Sequence, residues 1–176
     1  MNVRGFQILL ERGAADVPHP GGTLAAHLRR VESRLADHGV DRVGQVAGLC
    51  HAAYGTDGFP TVLVGLDERD DLRLAIGGAA EAAVYQYACC DRAVVHPQLG
   101  DDRVEFWDRF TGAVETLIAD ELRTFCAITV ANELDVAEHS SSFGEDDRAS
   151  LLDLFERIAP FVTDAARDDI DATLGH

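Results

Sequence analysis

Lysine is absent from this sequence. All 15 basic side chains are arginine, and 31 Asp and Glu set a net charge of −16. Such a surface repels a phosphate backbone except at a local basic cluster, and these arginines are scattered, so no nucleic-acid partner is expected. The chain is 47% hydrophobic, yet no apolar run approaches the ~20 residues needed to span a bilayer. The opening residues, Met1 to Phe6, lack a signal-peptide pattern, and the expectation is a cytoplasmic protein with no membrane partner. The four cysteines, Cys50, Cys89, Cys90 and Cys126, form no C-x-x-C pair. They sit in apolar helical segments and read as buried free thiols of a reducing compartment, not as a zinc site. Also missing are a phosphate-cradling glycine loop, for which Gly77-Gly78 is too short, and a Gly-x-Ser-x-Gly elbow. No internal repeat or low-complexity linker divides the chain. Its 176 residues fit one domain, 1–176, able to bury roughly 70% of its unfolded surface.

What is present is helical periodicity. Residues 6–11 are a short helix candidate, and Pro18, Pro20, Gly21 and Gly22 then break the chain. Thr23 suits an N-cap for a helix over 24–38, with Leu24, Leu28, Val31 and Leu35 inward, His27 on the same side, and Gly39 ending it. Asp41 caps the next helix, with Val43, Val46, Ala47 and Cys50 as its inner face. His51 and Tyr54 follow Ala47 at i+4 and i+7, so both turn inward near that helix's end. Gly55, Gly58 and Pro60 predict a loop bending around His51. Asp67 caps a short helix to about Ile76, and one longer helix runs over 79–92. Val104, Phe106, Phe110, Val114 and Leu117 flank a Thr111-Gly112 turn, the signal of a β-hairpin over 103–117. Helices over 119–137, 145–160 and 163–174 follow; Asn132 borders the apolar face of the first, and Leu151, Leu154, Phe155 and Ile158 turn inward on the second.

Three segments stand out: Thr23-Leu24-Ala25-Ala26-His27, Ala47 to Thr56 around His51, and Ala131-Asn132-Glu133-Leu134. In that order they resemble HD-domain proteins, especially the hydrolase domain of stringent-response alarmone enzymes. The chain looks still closer to an uncharacterised bacterial family with an apolar-His-Ser/Ala-x-Tyr-Gly-Thr signature and a helix ending in Asp-Arg, matched by His51 to Thr56 and by Asp91-Arg92. The resemblance covers most of the chain and implies a single, mainly α HD-like helical bundle with a small β-hairpin insertion near 103–117. It also implies a divalent metal site (Mn, Fe or Zn) at His27, His51 and Asn132. HD centres bind metal through two imidazoles and two carboxylates, and the metal acidifies a bound water. Here Ala52 stands where the first carboxylate is expected and Asn132 where the second is, and Tyr54 and Gly55 replace the acidic pair of alarmone hydrolases. Ala cannot ligate, and an amide oxygen is a weaker ligand than a carboxylate.

Two functional classes follow. One is an enzyme acting on a small polar metabolite by hydrolase-type chemistry at a degenerate His/His/Asn site. His51 would act as general base or metal ligand, Tyr54 and Thr56 would orient the substrate, and Asp91, Arg92 and Glu133 would bind it. The other is a non-catalytic module that binds a small molecule or assembles with a partner, another copy of the chain included. A third idea, an HD-type non-haem iron oxygenase, needs more His and Asp ligands than the sequence offers. Asp135 and His139 are alternative carboxylate and imidazole sources. His19, His38, His96 and His176 read as loop or solvent residues.

Overall fold

The computed structural model describes residues 3–101 and 103–175, so Met1, Asn2, Asp102 and the closing His176 lie outside the described residues. The fold is mainly α with small two-stranded hairpins. Helix α1 (Val3–Glu11) leads into a two-residue-strand hairpin, β1 (Pro18–His19) and β2 (Gly22–Thr23). The sequence suggested only a break there. Pro20 and Gly21 make its turn, and Gly21 takes the positive φ of 75° that a type II turn needs at its second central residue.

Two antiparallel neighbours follow, α2 (Leu24–Asp37) and α3 (Arg42–Cys50). Their caps are the expected ones: Thr23 Oγ1 accepts from the Ala26 N–H at 3.3 Å, and Asp41 Oδ1 accepts from the Gly44 N–H at 2.8 Å. Leu24, Leu28, Val31 and Leu35 are fully buried. Val43 is not part of the inner face; it is 41% exposed. The two helices approach closely because Gly48 leaves room for Leu35.

Asp67 does not cap a helix. It lies within a 3-10 turn, Leu66–Glu68, that feeds α4 (Arg69–Ile76). The single helix expected over 79–92 is two: α5 (Gly78–Cys89) and the short α6 (Arg92–Val95). The break comes where Cys90 turns extended to bridge Asp108, and Asp91 starts a new turn by accepting from the Val94 N–H. The expected hairpin forms from β3 (Glu105–Trp107) and β4 (Val114–Thr116). Helix α7 (Ala119–His139) runs through the centre and is buried on most sides from Leu122 to Asp135. Helices α8 (Glu145–Ile158) and α9 (Asp164–Leu174) close the bundle, with Phe155 and Ile158 of α8 buried and Leu151 and Leu154 half-buried. All four cysteines are buried and free.

One buried polar knot pins α5 to the loop after α3. Glu81, with no exposed surface, accepts from the Tyr54 hydroxyl at 2.9 Å and from Arg69 at 2.7 and 3.2 Å. Burial alone would raise the Glu81 carboxyl, but hydrogen bonds from Arg69 and Tyr54 outweigh it and hold the group below its ordinary range.

The α2–α3 contact fixes the spacing of the two helices that carry His27 and His51. A Cβ at Gly48 would stand 2.1 Å from Leu35 Cδ1 and 3.4 Å from Val31 Cγ1. Gly48→Ala should therefore destabilise the protein by about 1–3 kcal/mol from overpacking, despite better helix propensity, and lower the Tm by ~3–10 °C. Calorimetry checks this; a Tm at or above wild type would mean the helix pair separates without cost.

Candidate functional site

α2, α3 and α7 each contribute one side chain to a common point. His27 comes from the second turn of α2, His51 from the C-cap of α3, and Asn132 from the middle of α7. All three line one cavity of about 290 Å³. The His27 and His51 rings meet edge to face with centroids 5.3 Å apart. Thr56, Arg92 and Glu133 line the same cavity. Gly55, at φ 72°, lets the chain turn back beneath it, where a Cβ would press on the Pro60 carbonyl at 3.2 Å. Thr56 and Phe59 then exchange backbone hydrogen bonds at 2.8 and 3.1 Å, which closes the loop under His51.

Two expected site residues stand elsewhere. Tyr54 does not line the cavity; its hydroxyl is spent on Glu81, and its role is to hold the core. Asp91 also lies off the cavity wall, as the N-cap of α6. His19 and Arg30, not expected in the site, bear on it, as does Asp135, expected only as an alternative carboxylate source. His19 lines the cavity and stacks on His27 with centroids 4.0 Å apart, and its Nδ1 is buried without a partner among the described residues. The Pro-Gly turn that folds His19 back over α2 was the available signal. Asp135 accepts from His27 Nδ1 at 2.6 Å, and Arg30 grips the same carboxylate at 2.6 and 2.9 Å. Asp135 lies one turn beyond Ala131 on α7 and Arg30 three residues after His27, so helical spacing held the signal. His38 and His96 are not solvent residues either. His38 is buried and bonded to Asp169 at 2.7 Å, while His96 is half-buried and pushed down to about 4 by burial and by Arg92.

The electrostatics separate the three cavity histidines. His51 Nδ1–H donates to the Gly48 carbonyl at 2.7 Å, so its Nε2 carries a bare lone pair. Burial, then His27, and more weakly Arg92 push His51 down to about 3, so the ring is neutral at pH 7. His19 is likewise lowered to about 4, chiefly by burial and next by His27. His27 faces an oxygen at each ring nitrogen: Asp135 at Nδ1 and Asn132 Oδ1, 3.1 Å away, at Nε2. The Asn132 amide is oriented by Glu133, which accepts from Nδ2 at 3.0 Å and from Arg92 at 2.9 Å. Asp135 is held below its ordinary range: burial opposes its charge, but the bonds from His27 and Arg30 overcome that.

These donors do not fit an HD-type metal. Ala52 adds no ligand to the wall beside His51. The two carboxylates in reach, Glu133 and Asp135, are each held by a guanidinium. A divalent cation would meet only neutral donors and would share the cavity with Arg92. Among the described residues no group of three or more His, Cys, Asp or Glu side chains is arranged to hold a metal. The same arrangement suits an anion or a polar molecule: one guanidinium, an amide, a hydroxyl and a neutral imidazole with a free lone pair.

A family model described as a domain of unknown function (DUF6817) matches residues 8–92, a little under half of the chain. The match includes His19, His27, His51 and Arg92 but stops before Asn132, Glu133 and Asp135. No curated protein and no solved structure matches the chain.

The lowered histidines make the fold acid-sensitive. Below about pH 6.5 the unfolded chain takes up protons that folded His51 refuses until about pH 3, so stability must fall as pH drops through that window. His51 alone should cost about 2 kcal/mol between pH 7 and pH 5, with His19 and His96 acting in the same direction. Asp135 and Glu81, whose ordinary values are 3.8 and 4.5, add their loss only below that range. Urea unfolding at pH 7, 6 and 5 measures the slope, and His51→Asn should remove about 2 kcal/mol of it. A slope unchanged in the variant would mean His51 is protonated in the folded protein.

Proposed function

We propose that this protein acts on a small polar metabolite carrying an anionic group, by hydrolase-type proton transfer that needs no metal. Arg92 binds the anionic group, Asn132 and Thr56 orient the molecule, and His51 Nε2 accepts a proton from the substrate or from a water placed against it. The observation that carries this reading is the His51 hydrogen bond to Gly48, which fixes the tautomer and leaves Nε2 as the proton acceptor within the cavity. The proton, once taken, sits on Nε2 while Nδ1–H keeps its bond to the carbonyl.

In the free protein His51 is a weak base because burial, the neighbouring His27 and, more weakly, Arg92 disfavour its charged form. An anion beside Arg92 would offset that smaller contribution and itself favour the charged form of His51, raising its proton affinity against the burial that chiefly lowers it. The base is thus activated by the ligand it serves. The order of His27, His51 and Asn132 on α2, α3 and α7 around one cavity supports the resemblance to HD-like domains. A second reading, a non-catalytic module binding the same class of molecule, draws support from the depressed His51 and the absence of both HD carboxylates.

Turnover by purified protein on a panel of small carboxylate and phosphate esters and amides tests the proposal, with excess EDTA in parallel. His51→Ala should lower the rate by ~10²–10⁴-fold with circular dichroism unchanged, and EDTA should leave the wild-type rate intact. Full activity in His51→Ala would make that residue structural. An EDTA-sensitive rate would restore a metal mechanism. Panel binding without turnover would favour the binding module.

A further inference from the structure

A second cavity of about 520 Å³ lies between α6, α7 and α8. It shares two wall residues with the histidine cavity, Arg92 and Glu133. Their ion pair, 2.9 Å long, therefore stands at the junction of the two spaces. The inner space holds the polar side chains, His27, His51 and Asn132 among them. The outer one offers Leu151, Leu154 and Pro97. Its remaining charges are already neutralised: Arg157 pairs with Asp153 at 3.1 Å, and burial keeps His96 uncharged at pH 7. An apolar group is what this outer space can accept without stripping water from an unpaired charge.

Arg92 still has donors to offer at the junction. One of its five N–H groups bonds Glu133 and another the Tyr87 hydroxyl at 3.2 Å; the rest have no partner among the described residues. It is the cation at the junction, and Glu133 already offsets part of its charge. A single, partly offset guanidinium suits a monoanion such as a carboxylate better than a dianionic phosphate. Together the two spaces reach the size of ordinary small-molecule sites, about 300–1,000 Å³.

From this we infer that the ligand is an amphipathic monocarboxylate, with its carboxylate at Arg92, a reactive or polar portion in the histidine cavity and an apolar tail between α6 and α8. This rests on the anion-binding reading above and adds the tail and its compartment. Each methylene buried in the outer cavity contributes roughly fourfold in affinity.

Titration calorimetry with acetate, hexanoate and hexylamine tests it. Hexanoate should bind at least ~30-fold more tightly than acetate, and hexylamine, with a similar tail and the opposite charge, should not bind detectably. Filling the outer cavity with Leu154→Trp should bring hexanoate to within about threefold of acetate and leave acetate unchanged. Ser150→Trp fills the same cavity from an exposed position and serves if Leu154→Trp does not fold. Equal affinity for acetate and hexanoate, or an undiminished hexanoate advantage in the folded variants, overturns the tail compartment and leaves the anion site standing. Binding of hexylamine as tight as hexanoate overturns the carboxylate assignment. Failure of both acids to bind overturns the anion site itself, and the tail compartment with it.

Discussion

A buried carboxylate, Asp135, holds the helices around the histidine cavity in register. Its side chain is 2% exposed and accepts from His27 and twice from Arg30. Both partners come from α2, and the carboxylate comes from α7, so one charge fastens two helices at a fixed rotation. A buried charge stripped of its partners is strongly destabilising, and that penalty makes the register hard to lose. With α2 and α7 so fastened, His27 and Asn132 must face each other, and α3, packed through Gly48, brings His51 to the same point. The cavity follows from these helix positions.

The charge balance of the cavity contrasts with that of the whole chain. A net charge of −16 suggests a protein hostile to anions, yet the cavity wall carries Arg92 and three imidazoles. Coulombic interactions between exposed charges are screened over about 8–10 Å in ordinary salt. A partly buried guanidinium is screened far less, and the part of its charge that Glu133 leaves unpaired is felt in the local space. An acidic exterior and an anion-accepting interior are therefore compatible. Ala52 and Asn132, both uncharged, work in the same direction, since neither puts a negative charge on the cavity wall.

The wall beside His51 carries no carboxylate at Ala52. Glu133 and Asp135 bring two carboxylates to the neighbourhood from α7, and both are held by arginine. A guanidinium on each carboxylate takes the place a metal would have taken as the counter-charge. It leaves His51 as a neutral base with one lone pair free, and leaves Arg92 with unused donors at the junction of two cavities.

Much of this was legible in the residues. Periodicity and caps gave the helices that carry His27, His51 and Asn132, because those signals are local: Thr23 and Asp41 cap their own helices, and apolar spacing of three and four is set within one turn. The Thr111-Gly112 hairpin was legible for the same reason. Misjudged elements depended on partners distant in sequence. The 79–92 helix breaks at Cys90 because that residue bridges Asp108, and Tyr54 left the site because Glu81, 27 residues on, takes its hydroxyl. Val43 looks inward by spacing but stands 41% exposed in the fold. His19 has no periodic context at all, and only the fold of its hairpin stacks it on His27. The sequence by itself determined the helices and which of them bear imidazoles. The free nitrogen of His51 is set locally, by the Gly48 carbonyl three residues before it; which carboxylate is already paired and which cavity two residues share were decided only by tertiary structure, because they depend on partners 41 to 105 residues apart.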